Sequence, residues 1–373
     1  MKKQNLLIAL GGLVILPLFA TVVLGQQTLK DAFKDSFLIG AAINKSQIYE
    51  TDERGAKIVA SQFNTISPEN ILKWEAVHPQ SDRYDFEASD KYVAFGEKHG
   101  MFIVGHTLVW HNQTPDWVFK DKQGDFVSRK ELLKRLREHI QSVVGRYKGR
   151  IKGWDVVNEA LDEDGTLRQT QWLKIIGEDY IAKAFQFAHE ADPNAELYYN
   201  DYSLENEPKR KGAIKLIKKL QSMKVRVNAV GLQGHNNLTF PSLAEQDVTI
   251  AEFAGLGVKV CITELDVSVL PDPEGFSGAE VTLSFAMKET LDPFKQGLPS
   301  DIQAALANRY SDLFVVFLKH RKVISRITFW GVTDGDSWLN NFPVRGRTNY
   351  PLLFNREGKP KSAFQSVILS TKK

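Results

Sequence analysis

The stretch Ile151-Lys152-Gly153-Trp154-Asp155-Val156-Val157-Asn158-Glu159 decides how this chain is read. It is a short apolar run that stops on an amide and a carboxylate. A run of this length and continuous apolar character suits a strand covered on both faces. Working outward, seven more runs of the same kind appear at 37–43, 62–66, 102–107, 196–200, 227–232, 258–263 and 324–330. Between them lie longer segments with apolar residues at helical spacing, at 87–98, 128–147, 172–191, 208–223, 242–254 and 302–319, and a last one at 361–369. Asp301 before Ile302 and Pro208 in a first turn are helix-start signals. Strand and helix alternating through eight cycles predicts an α/β fold: a single (β/α)8 TIM barrel over residues 26–373, with its active site at the C-terminal ends of the strands. The alternative is an open doubly wound sheet, which would gather its special residues at one switch point.

Those special residues are not gathered at one point. The second run leads into Glu69, Asn70, Lys73 and Trp74, and the third into His106, Trp110, His111, Gln113 and Trp117. The fourth ends on Asn158 and Glu159, the fifth on Asn200, Asp201 and Tyr202, and the sixth leads to Gln233 and His235. The seventh ends in Glu264 and Asp266, and the eighth in Trp330, Asp334 and Trp338. Five of the chain's seven tryptophans therefore fall on one expected rim, beside His106, His111 and His235. Purely structural residues would be spread over the helices and both barrel ends.

Aromatic platforms set among amides, histidines and carboxylates suit a sugar, whose ring has apolar faces and hydroxyl edges. A metal is the competing explanation for the histidines, but the chain lacks the clustered His-carboxylate spacing of a dedicated site. No Gly-rich phosphate loop follows any strand. No metal and no cofactor are expected. Two glutamates at strand ends suit glycoside hydrolysis, retaining if their carboxyls lie about 5–5.5 Å apart and inverting at about 6.5–9.5 Å.

The bulk properties set limits. With 373 residues, 43% of them apolar, the chain can bury a large core as one barrel or as two or three smaller domains. The net charge is +3, with 48 basic and 45 acidic residues; without Lys2 and Lys3 the difference is 46 − 45, or +1. That balance argues against nucleic acid as a partner. The densest basic run, from Lys209 and Arg210 to Arg226, interleaves with Ile214, Leu216, Ile217 and Leu220, and reads as the solvated side of an amphipathic helix. The single cysteine, Cys261, lies in an apolar run and reads as a small buried hydrophobe. Residues 1–25 open with Lys2 and Lys3, continue apolar from Leu6 to Leu24 and end at Gly25, the pattern of a secretory signal peptide or an uncleaved anchor. The expectation is an exported enzyme, extracellular or periplasmic, monomeric, with no membrane contact unless the signal stays attached.

In these motifs the chain resembles the family 10 glycoside hydrolases, the endo-β-1,4-xylanases. The resemblance rests on Trp154 to Glu159 and on Ile262 to Asp266, with His106 to Trp110, Gln233 to His235 and Trp330 to Trp338 in order, and spans Phe37 to Phe364. It implies xylan as substrate and a retaining double displacement. Glu159 would be the acid/base and Glu264 the nucleophile. Asn158 would contact that nucleophile, Gln233 would support Glu159, and His235, steadied by Asp266, would hydrogen-bond Glu264. Glu69, Asn70, Lys73, His106, Trp110, Gln113, Trp330 and Trp338 would build the non-reducing-side subsites, and Tyr202 would line the leaving-group side. The ionised neighbour would raise the pKa of Glu159. The rival functions are a cellulase or mixed-linkage glucanase and a non-catalytic glycan-binding barrel.

Overall fold

A computed structural model describes residues 27–276 and 278–373. The expected signal or anchor segment lies outside the described residues. Nine strands occur among those described: β1 (Leu38–Ile43), β2 (Thr65–Pro68), β3 (Phe102–Val109), β4 (Gly153–Asn158), β5 (Glu196–Asp201), β6 (Ala229–Leu232), β7 (His235–Asn237), β8 (Lys259–Ser268) and β9 (Ile324–Phe329). All pairings between them are parallel. The ladder runs β1 to β6 in order, crosses from β6 to β8, continues to β9 and closes on β1. Eight strands thus form a closed (β/α)8 barrel, and the short β7 pairs with the upper part of β8.

Several helix boundaries follow from their caps. Ser128 Oγ accepts from Glu131 N at 3.2 Å to start the helix Arg129–Arg146. Ser242 and Glu245 form a capping box that starts Leu243–Ala254. Pro208 sits in the first turn of Glu207–Ser222, as expected. Three expectations are corrected. Gln62, read as strand, ends a helix Glu53–Gln62, and β2 begins at Thr65. The stretch 172–191 is two helices, Gln171–Ile176 and Tyr180–Ala191, broken at Gly177. Asp301 does not cap its helix, which begins at Ser300, so its carboxylate lies in the first turn, near the positive helix end.

The main apolar core lies between the strands and the helix ring and contains the fully buried Trp154 and Trp172. Inside the barrel is a smaller cluster of Val104, Tyr198, Ala229 and Cys261. Arg326, 1% exposed, joins it with its guanidinium 4.5 Å from the Tyr198 ring and 3.0 Å from Cys261 Sγ. This floor supports the site above it.

Candidate active site

Strand register brings the polar residues together. His106 is level with Asp155, Asn158 with Asn200, and His235 with Asp266. The ladders are irregular between His106 and Val109, between Asp155 and Val157 and between Ile262 and Leu265, just where side chains turn toward the mouth. Glu159 stands at φ +56, and its N–H donates to Asn200 O at 2.9 Å. A left-handed backbone at a glutamate costs about 1–2 kcal/mol, so the surrounding packing must hold it there.

Both glutamates are buried, at 3% and 5% exposure, so their charge states depend on neighbours. Glu159 takes hydrogen bonds from neutral donors: Trp110 Nε1 at 2.7 Å, Gln233 Nε2 at 2.9 Å and Asn158 Nδ2 at 3.2 Å. Burial, with the Asp201 charge adding to it, outweighs the His111 charge and those bonds and raises its pKa. The sequence pointed to the partner glutamate as the cause; the first cause is desolvation. Glu264 takes hydrogen bonds from Asn200 Nδ2 at 2.8 Å and His235 Nε2 at 3.3 Å. Burial opposes its charge as well, yet the His235 bond and the positive imidazoles nearby bring its pKa below the usual value. Burial also works against the His235 cation. Asp266, 3.1 Å away, and Glu264 win, and hold the imidazole at about 10. Trp338 Nε1 donates to Asp266 at 2.8 Å and completes that wall.

The remaining expected residues fall as follows. Glu69, Asn70, Lys73, His106, Trp110, Gln113, Asn158, Glu159, Gln233, His235, Glu264, Trp330 and Trp338 line one cavity of about 160 Å³. Lys73 Nζ donates to Asn70 Oδ1 at 2.8 Å and lies 4.7 Å over the Trp110 ring. Gln113 Nε2 donates to Glu75 at 2.8 Å. His106 pairs with Asp155 at 3.0 Å and meets Trp330 edge-on at 5.4 Å. Asp266 stands behind His235. Tyr202 stands outside this cavity, 3% exposed, with its hydroxyl accepting from Arg168 Nη2 at 2.8 Å.

Three readings need correction. Asn158 bonds Glu159, not Glu264; the amide that reaches the expected nucleophile is Asn200, which also donates to Asn158 Oδ1 at 2.8 Å. Asn200 can cross there because a Cβ on Gly231 of β6 would stand 2.3 Å from its Oδ1. Trp74 and Trp117 are not cavity residues. Trp74 is buried, stacks on His139 at 3.6 Å and has Trp117 edge-on at 6.4 Å, so both support the rim from beneath. Lys209 is not solvated. It is fully buried, 3.1 Å from Asp201 and 3.4 Å under the Tyr202 ring, because the helix Glu207–Ser222 tucks its first turn beneath that side chain. Arg210 is buried too, bonded to Glu252 at 2.6 Å.

A larger groove, about 380 Å³, runs along the helices Tyr180–Ala191 and Glu207–Ser222, but no pair of buried acids converges in it. Among the described residues no cluster of three or more His, Cys, Asp or Glu could hold a metal ion, and no helix is long and apolar enough to cross a membrane. The reactive geometry is confined to the strand ends.

The profile described as Glycosyl hydrolase family 10 matches residues 28–370. Endo-1,4-beta-xylanase A of Xylanibacter ruminicola is 45% identical over 357 residues, covering 96% of each chain. Beta-1,4-xylanase of Dictyoglomus thermophilum is 42% identical and covers 91% of this chain and 90% of its own. A solved GH10 endoxylanase from a sugarcane soil metagenome superposes with a TM-score of 0.89 at 46% identity, over 91% of this chain and 99% of that one. With that match and a closed barrel carrying two buried glutamates at its strand ends, the chain belongs to glycosyl hydrolase family 10 and is a glycoside hydrolase.

Proposed function

We propose that the protein is a retaining endo-β-1,4-xylanase that cleaves internal bonds of xylan through a covalent glycosyl-enzyme intermediate. The observation that carries this reading is a pair of buried carboxyls in one cavity with different donors, an indole and amides on Glu159 and an imidazole on Glu264, which tune the first upward and the second downward. Two acids at similar burial would otherwise titrate alike; held apart, one can donate a proton while the other attacks.

In the first step Glu264 attacks the anomeric carbon as the C–O bond breaks, and Glu159 delivers its proton to the departing oxygen. In the second, Glu159 takes a proton from water, the water oxygen bonds to the anomeric carbon and Glu264 leaves. Loss of the Glu264 charge on glycosylation lowers the pKa of Glu159, which suits its new role as base. Lys73, Asn70 and Glu69 supply hydrogen bonds to hydroxyls of the non-reducing-side sugar, with Trp110, Trp330 and Trp338 as apolar walls. The names of the relatives support xylan as the substrate.

Proton NMR during xylohexaose hydrolysis tests the mechanism. The first product formed should be the β-anomer, which then mutarotates; α-anomer first would mean inversion and no covalent intermediate. Hydrolysis of carboxymethylcellulose at a rate matching xylan would move the substrate to glucan. The basic, then apolar, N-terminus supports export, which N-terminal sequencing of enzyme recovered outside the cytoplasm would test.

A further inference from the structure

The segment Gly278–Thr282, in the loop after β8, crosses the mouth of the barrel. Ala279 and Val281 line the catalytic cavity, and Ala279 is 3% exposed. The Glu280 side chain spans to the loops after β3 and β4: it pairs with Arg168, lies 3.5 Å from His111 Nε2 and accepts from Asn112 Nδ2 at 3.5 Å. Within the segment it also accepts from Thr282 N at 3.2 Å and Thr282 Oγ1 at 2.9 Å. Arg168 is tied down in turn, donating to Glu159 O and Leu161 O, each at 3.2 Å. Hydrogen bonding to His111 holds the Glu280 carboxyl far below the usual carboxylate range, so the bridge stays charged in mild acid.

The same segment covers Tyr202. Gly278 lies so close that a Cβ there would come within 2.9 Å of Tyr202 Cε2. Lys209 occupies one face of that ring, 3.4 Å from its centroid. With Tyr202 3% exposed, a sugar ring has no room to stack on it. The non-reducing side, by contrast, opens into the cavity. An enzyme that cuts inside a polymer needs both sides free at once.

We propose that Gly278–Thr282 is a gate over the leaving-group side of the cleft, latched by Glu280 to Arg168, His111 and Asn112, and that it discriminates among substrates by what must pass beneath it. This rests on the reading of Glu159 and Glu264 as a xylanase pair and of Tyr202 as lining its leaving-group side. Substrates with a sugar leaving group have to displace the gate; a substrate that expels a single small anion does not. Opening is therefore a step in the cleavage of xylan that a small leaving group bypasses.

The test compares kcat/KM for xylohexaose with kcat/KM for β-xylobiosyl fluoride, whose fluoride leaves without needing a sugar on Tyr202. Glu280→Ala should raise the ratio of the two constants at least threefold by unlatching the gate. Gly278→Ala attacks the same contact independently: its Cβ levers the segment off Tyr202, at φ +77 where any side chain is strained, and it should move the ratio in the same direction. A ratio that stays put or falls in either folded variant overturns the gate. Wild-type enzyme inactive on both substrates would instead remove the xylanase reading, and the gate with it.

Discussion

The two walls of the cavity are built from different materials. The wall around Glu159 presents an indole and two amides, neutral donors that satisfy a carboxyl group but do little to offset its burial. The wall around Glu264 presents an imidazolium, itself held by the fully buried Asp266 and braced by Trp338. Both glutamates have nearly the same exposure, so desolvation cannot separate them. What separates them is that a cation is hydrogen-bonded to Glu264, whereas the His111 charge acts on Glu159 only through space and burial outweighs it. One amide, Asn200, joins the two walls through Asn158 on one side and Glu264 on the other.

Deleting a wall's carboxyl should have the largest effect. Glu264→Ala should lower kcat by about 10⁴-fold or more, because residues that act as a catalytic unit fail together. Folding of that variant, checked by circular dichroism, should persist.

Next comes the cation. His235→Gln strands Asp266 in the protein interior and should cost about 3–5 kcal/mol of stability, measured by urea unfolding. It should also raise the pKa of Glu264 and move the acid limb of kcat/KM to higher pH. The native contribution has a definite sign. His235 titrates at about 10 in the folded protein against 6.5 ordinarily, so its stabilisation is whole below pH 6.5 and is lost as pH climbs toward 10. The wild-type Tm should sag through that window more than the variant's.

Asn200→Ala cuts the link between the walls. It removes a hydrogen bond to an ionised carboxylate, worth about 1.5–3 kcal/mol, and should lower kcat/KM by roughly 10–100-fold. An unchanged rate would mean the two walls hold their positions independently. The smallest effect belongs to Trp110→Phe. It removes one donor to Glu159, whose pKa should rise further, so the alkaline limb of the pH profile should shift upward by less than one unit at a few-fold cost in rate.

Eight of the nine strands were legible because apolar runs of that length, separated by helical periodicity, leave few other folds. The short β7 escaped, since His235–Asn237 is polar and takes its extended form from pairing with β8. The cavity residues were legible from their place at strand ends. Asn200 stood in the same kind of place and was passed over, because only register shows that it lies level with Asn158 and over Gly231. Lys209 was misread because periodicity tells which residues share a helix face, not how deep the first turn of that helix is set; Trp74 was misread because a place after a strand does not show which way the side chain faces. Glu280 gave no signal at all, as its partners lie in two other loops.

The chain carries one thiol, and the fold seals it at the bottom of the barrel, with 0% exposure, beside Arg326. Burial raises its pKa, which further slows any reagent that needs a thiolate. A small electrophile in solution can therefore label this enzyme only when the strands themselves part. Labelling kinetics at Cys261 would time barrel opening directly, without an added probe, and handling in air should leave the protein free of sulfur-linked dimers.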